Sequence, residues 1–114
     1  VVEDEFLIAL LLEEDLRALG FSVLGPFSTV ATAIEASRRE HFDVAILDIN
    51  LGGERIFPLA DELKARCVPF LFVSGYGEAD LPAGHRATPR FAKPCDPTAL
   101  AREIERLLTA HRQN

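Results

Sequence analysis

The chain has 114 residues, enough for one ordinary domain and too few for two. Hydrophobic residues make up 48% and charged residues 26%, the balance of a globular protein with a real core. The formal charge of −6, with basic residues scattered and Arg38-Arg39 their densest pair, argues against nucleic acid as a partner. No apolar run approaches the roughly 20 residues of a membrane span, so a membrane is not expected either.

Strand and helix patterns take turns along the chain. Val1-Val2-Glu3 reads as the end of a buried strand, and a few residues of that strand are expected to precede it. Phe6 to Leu19 reads as a helix with Ile8, Leu12, Leu16 and Leu19 on its inner face and Gly20 as its stop. Phe21 to Leu24 reads as a short strand closed by Gly25-Pro26. A helix from about Thr29 to Arg39 turns Val30, Ala33 and Ile34 inward. Val44 to Leu47 is a continuous apolar run, as expected of a central parallel strand covered on both faces. Ile56 to Ala65 has helical period through Ile56, Leu59, Ala60 and Leu63. Phe70 to Val73 and the shorter Phe91-Ala92 read as strands. Asp96 as N-cap and Pro97 in the first turn then open a helix carrying Leu100, Ile104, Leu107 and Leu108.

This alternation predicts a doubly wound α/β domain, a five-stranded parallel sheet with helices on both faces. Cys67 and Cys95 lack metal or redox spacing, and two free thiols fit a reducing, cytoplasmic compartment. No basic leader with a cleavage site opens the chain, so nothing points to secretion. His41, His85 and His111 share no ligand spacing and read as ordinary histidines.

Ligands of such sheets bind beyond the carboxyl ends of the strands. Those positions hold Glu3 and Asp4, then Asp48 and Asn50, then Ser74 and Gly75, then Lys93 and Pro94. Three acids brought together repel one another, and a hard cation such as Mg²⁺ relieves that with carboxylate ligands. A carboxylate held this way can attack a phosphoryl group, whose oxygens then need positive charge and donors. Lys93 offers the charge, Ser74 the hydroxyl, and Gly75 leaves room for entry. Taken singly, Asp48 reads as a cap or turn residue and Ser74-Gly75 as a turn pair; the register with Glu3, Asp4 and Lys93 favours the functional reading.

The chain resembles response-regulator receiver domains in four stretches: Val2-Glu3-Asp4-Glu5, Asp43 to Leu51, Phe72-Val73-Ser74-Gly75-Tyr76 and Phe91-Ala92-Lys93-Pro94. The resemblance runs over nearly the whole of residues 1–114 and implies the flavodoxin-like strand order 2-1-3-4-5. It implies that Asp48 accepts phosphoryl from a histidine kinase or histidine phosphotransfer protein, and that Glu3, Asp4, Asp48 and the Asn50 backbone hold Mg²⁺. Ser74 and Lys93 would contact the phosphoryl group. Phe91 matches the switch aromatic, though a plain core role fits it too; Tyr76 reads as a partly exposed aromatic, with gating of access to Asp48 as the second reading. Phe72 to Tyr76 is also similar to the Phe-Ala-Thr-Gly-Tyr signature of a receiver subgroup common in alphaproteobacteria.

Two local features are particular to this chain. The first helix has more apolar residues than one buried face needs, and Phe6, Leu7, Leu10 and Leu11 are expected to dock the phosphoryl donor. Glu78 to Pro89, where receivers have their fourth helix, is interrupted by Pro82, Gly84 and Pro89 and is expected to be a short or mobile helix. The downstream partner stays open, and a monomer or weak dimer is expected. The rival readings are a receiver-like module that signals without phosphorylation and a small phosphatase of the haloacid-dehalogenase type. In the latter, Asn50 stands where a second acid is usual.

Overall fold

The computed structural model describes residues 1–3, 5–75, 81–93 and 96–112, without the side chains of Phe6, His111 and Arg112. Four helices, α1 (Phe6–Ala18), α2 (Val30–Arg39), α3 (Phe57–Ala65) and α4 (Pro97–Arg112), surround a parallel sheet of β1 (Ala45–Asp48), β4 (Phe70–Ser74) and β5 (Arg90–Ala92). A two-stranded hairpin, β2 (Asn50–Leu51) and β3 (Glu54–Arg55), follows β1 directly. The sheet runs β1-β4-β5, with Asp48 opposite Val73 and Ser74 opposite Ala92. Val2 extends this order, bridging in parallel to Leu47 on one side and to Phe27 on the other.

Side-chain alternation along β1 and β4 divides the core in two. Ala45, Leu47, Phe70 and Phe72 face a cluster with Val30, Ala33, Leu59, Ala60 and Leu63, beneath α2 and α3. Ile46, Leu71 and Val73 face the opposite cluster with Leu12, Leu16, Leu100 and Ile104, beneath α1 and α4. Helices on both faces explain why these strands are buried at every position.

The expected strand Phe21 to Leu24 is not formed. A strand needs backbone alongside it, and the nearest bonds are those of Val1: its amine donates to the Leu24 carbonyl and its own carbonyl accepts from Phe27 N–H. An apolar groove of about 500 Å³ lies there instead, lined by Val1, Phe21, Val23, Phe42 and Leu108 among others. Gly25 permits the close approach at Phe27, because a Cβ there would lie 2.8 Å from the Val1 carbonyl oxygen. The second sheet position is thus one bridged residue, Phe27, and the first one residue, Val2, bridged on both sides, rather than two full strands.

Helix ends follow local chemistry. Thr29 caps α2, its hydroxyl accepting from Thr32 N–H at 3.2 Å, and the Asp96 carboxylate accepts from Thr98 N–H at 3.1 Å. α1 closes with Phe21 N–H on Leu16 O and Gly20 N–H on Arg17 O, with Gly20 left-handed at φ +97°. Leu19 therefore falls beyond the last helical residue and is 48% exposed, contrary to the inward face expected of it; Ala9 takes the inner place. α3 closes the same way, through Val68 N–H on Leu63 O and Cys67 N–H on Lys64 O, but with a cysteine at φ +58°.

Between β4 and β5 the described residues hold one 3₁₀ turn, Ala83–His85, in keeping with the short form expected of the fourth helix. Glu78 to Asp80, the first part of that expected element, lie outside the described residues.

Candidate functional site

The carboxyl ends of the strands meet at a buried cluster of charge. Asp48 ends β1, its N–H donating to Val2 O at 2.9 Å, which fixes Glu3 beside it. Glu3 is tied from the other side, its N–H donating to Phe27 O at 2.9 Å. Lys93 follows β5 and donates its backbone N–H to the Ser74 carbonyl at 2.9 Å, so the ends of β4 and β5 stay side by side. Side-chain position here is thus set by backbone register rather than by long-range folding of loops.

The Lys93 ammonium joins the acids. Nζ donates to Asp48 Oδ2 at 2.9 Å and to Glu3 Oε1 at 2.9 Å, and reaches Glu5 Oε1 at 3.4 Å. Nζ also lies 2.8 Å from Glu3 Oε2, but out of line for a hydrogen bond, so that oxygen is buried without a donor. Asp48 Oδ1 accepts from Asn50 N–H at 3.2 Å, and Glu3 Oε1 from Glu5 N–H at 3.0 Å. Glu3 and Asp48 are each 2% exposed and Ser74 5%.

Two buried carboxylates share one buried ammonium, which leaves an excess negative charge out of water. Burial pushes the Glu3 carboxyl up to about 7 against the pull of Lys93, and pushes Asp48 above the usual carboxylate range. Lys93 shifts the other way: its contacts with Glu3 and Asp48 outweigh burial and hold it above the usual lysine range. A buried carboxylate oxygen without a hydrogen bond and surplus negative charge are what a hard divalent cation relieves, so Glu3 and Asp48 suit Mg²⁺. Asp4, the remaining expected ligand, lies outside the described residues, as does Tyr76.

Of the other expected residues, Asn50 is brought to Asp48 through its backbone, while its side-chain oxygen accepts from Gly53 N–H at 2.9 Å and shapes the hairpin. Among the described residues nothing lies within 4 Å of where a Gly75 Cβ would stand. Phe91 is partly buried against the α1/α4 cluster. Leu7, Leu10 and Leu11 of α1 are 71%, 37% and 57% exposed, a contiguous apolar face; the Phe6 side chain is not among those described. Sequence reasoning gave no role to Glu5, whose place two residues after Glu3 on the same side of an extended chain was the available signal.

No family model matches the chain. The phyllosphere-induced regulator PhyR of Methylorubrum extorquens is 34% identical over 113 residues, covering 95% of this chain and 42% of that protein. The chain thus spans about two fifths of the length of the curated relative it matches. The solution structure of SdrG from Sphingomonas melonis Fr1 is 39% identical, with 94% of this chain and 92% of that one covered and a TM-score of 0.83. SdrG in its BeF3-activated conformation is 37% identical over the same shares, with a TM-score of 0.78. The REC domain of the Erythrobacter litoralis PhyR response regulator is 29% identical, covers 96% and 87%, and has a TM-score of 0.80.

The α/β fold and these likenesses define a receiver domain of two-component signalling, a signalling module rather than an enzyme. The chain belongs to the response-regulator receiver family, close to the PhyR and SdrG receivers of alphaproteobacteria. Membership sets aside the haloacid-dehalogenase reading. Among the described residues no helix is long and apolar enough to cross a membrane.

Proposed function

We propose that the domain is a phosphorylation switch with Asp48 as acceptor. The observation that carries this is the Lys93 ammonium shared by Asp48 and Glu3 at the buried carboxyl edge of the sheet. An oxygen of Asp48 attacks the donor's phosphorus, the O–P bond forms, and the P–N bond to the donor histidine breaks as the imidazole regains a proton. Lys93 then loses one carboxylate partner and turns to the phosphoryl oxygens, with the Ser74 hydroxyl as a second donor. Glu3, Asp48, Asp4 and the Asn50 backbone would hold Mg²⁺, which would supply neutralising charge for the transfer. That SdrG adopts a BeF3-activated conformation supports the reading, since beryllofluoride stands in for a phosphoryl group.

The switch itself is a population shift. Ser74 turns toward the phosphoryl group, Phe91 follows, and the surface offered to a downstream protein changes. The lack of a side chain at Gly75 leaves room for the phosphoryl group to enter, and Tyr76, next in the chain, gates that access. The donor, a histidine kinase or phosphotransfer protein, docks on the exposed leucines of α1. Leu11→Lys should then slow transfer from a protein donor but leave labelling by acetyl phosphate unchanged; equal slowing of both removes the docking role.

The deciding experiment is intact mass after incubation with Mg²⁺ and acetyl phosphate, then with a histidine-kinase donor. A single acid-labile phosphoryl adduct on the native chain, absent from Asp48→Asn, is the expected result. No adduct from either donor, or an adduct that persists in Asp48→Asn, overturns the assignment.

A further inference from the structure

Among the described residues three carboxylates contact the Lys93 ammonium, and transfer to Asp48 leaves one of them, Glu5, unused. An ammonium has three N–H donors. Asp48 Oδ2 and Glu3 Oε1 each accept at 2.9 Å, and Glu5 Oε1 takes the third place at 3.4 Å. The first two acids are buried, whereas the Glu5 side chain is 60% exposed against 8% for Lys93. Glu5 therefore stands on the solvent side of the ammonium that Asp48 shares.

Its place comes from the backbone. Glu5 opens α1 as the N-cap residue, and its N–H donates to Glu3 Oε1 at 3.0 Å, so the turn that seats Glu3 also seats Glu5. A side chain at that position commonly caps the helix, but Glu5 makes no such bond. Its carboxylate is turned to Lys93 instead. The charge can therefore be changed with little effect on the fold.

Glu5 and Asp48 meet the same Nζ, which keeps their oxygens within roughly 6 Å of each other. A phosphoryl group arriving at Asp48 is an anion, and at that range the Glu5 charge repels it. The same group needs Lys93 donors, and Glu5 occupies one. Both effects have one sign. We propose that Glu5 is a specificity-determining residue that selects among phosphoryl donors by charge, disfavouring small, doubly charged ones most. The inference rests on Asp48 as the acceptor. A donor protein brings docking contacts that offset the repulsion, so Glu5 reserves the site for a docked donor over free phosphoryl anions.

Labelling of the full chain, followed by intact mass with Mg²⁺ saturating for each variant, tests it. The probes are acetyl phosphate, doubly charged at neutral pH, and phosphoramidate, singly charged because its nitrogen is protonated. In each case an Asp48 oxygen bonds to phosphorus as the bond to the leaving group breaks. Acetate leaves with the electron pair in the first, ammonia in the second. At low salt Glu5→Gln should raise kcat/KM about fivefold for acetyl phosphate and about twofold for phosphoramidate. Glu5→Lys should widen that difference, and about 0.5 M salt should bring the three chains together. Beryllofluoride, which binds without transfer, should bind Glu5→Gln about twofold more tightly, with the urea midpoint unchanged. Equal gains for both donors, a gain that survives salt, no gain at all, or equal beryllofluoride affinity overturns the proposal. If small donors label neither chain, beryllofluoride alone decides. Neither label nor beryllofluoride binding in any chain removes Asp48 as acceptor, and this inference falls with it.

Discussion

Two groups of titratable side chains are buried among the described residues, and they are built on opposite plans. At the carboxyl edge of the sheet Glu3 and Asp48 crowd around Lys93, with more negative charge than the lysine can balance. Beneath the β4–β5 connection His85 stands alone among phenylalanine rings with one acid at its rim. In the first, burial favours taking up a proton or a cation; in the second, aromatic packing and one hydrogen bond to Asp61 hold the ring. Acidification therefore relaxes the sheet edge. The charge balance, more than the burial, separates a site waiting for a ligand from a ring held by packing.

The comparison can be broken in four ways. The largest effect is expected from Phe72→Ala. This fully buried ring lines both the α2/α3 core and the His85 nest, so its loss should cost about 4 kcal/mol in urea unfolding. Lys93→Met comes next. It strands two buried carboxylates and should cost about 3 kcal/mol at pH 8, and less at pH 5.5 as they protonate. A cost independent of pH would mean that the acids do not feel one another.

The native chain supplies the third test. The folded Glu3 carboxyl lies at about 7 against an ordinary value of 4.5, so the folded state holds this proton more tightly. Stability from this group is complete below pH 4.5, falls as pH rises to 7 and is flat above, a change on the order of 1 kcal/mol once solvent screening is allowed for. The urea midpoint should therefore drop between pH 5 and 8, and millimolar Mg²⁺ should restore it at pH 8. The fourth is a control outside both groups. Cys67→Gly relieves a left-handed cysteine and should raise stability by about 1 kcal/mol, with the pH response of the sheet edge intact.

What the sequence made legible followed from local chemistry. Continuous apolar runs located β1 and β4, and the residues just past them included Asp48, Ser74 and Lys93, because register alone carries those side chains to one edge. Gly20 marked the stop of α1. Cys67 did not mark that of α3, although the hydrogen bonds are the same, because tertiary packing of Val68 and Leu63 pays the left-handed strain. Phe21 to Leu24 had strand-like composition, but pairing depends on a neighbour that composition does not show. His85 looked ordinary for the same reason: its nest is assembled from Phe57, Phe70 and Phe72, which lie 13 to 28 residues earlier in the chain.

The paired bridges at Val2 have a consequence for how the domain comes apart. A seam one residue wide joins the Phe27 side to the rest of the sheet, and both flanks of that seam run straight into the acids: Asp48 N–H on Val2 O, Glu3 N–H on Phe27 O. A ligand that grips Glu3 and Asp48 together therefore works as a rivet across the seam. Its binding free energy is added to the work of unzipping the sheet, so occupancy of one small buried site should be felt as cooperativity of the whole domain.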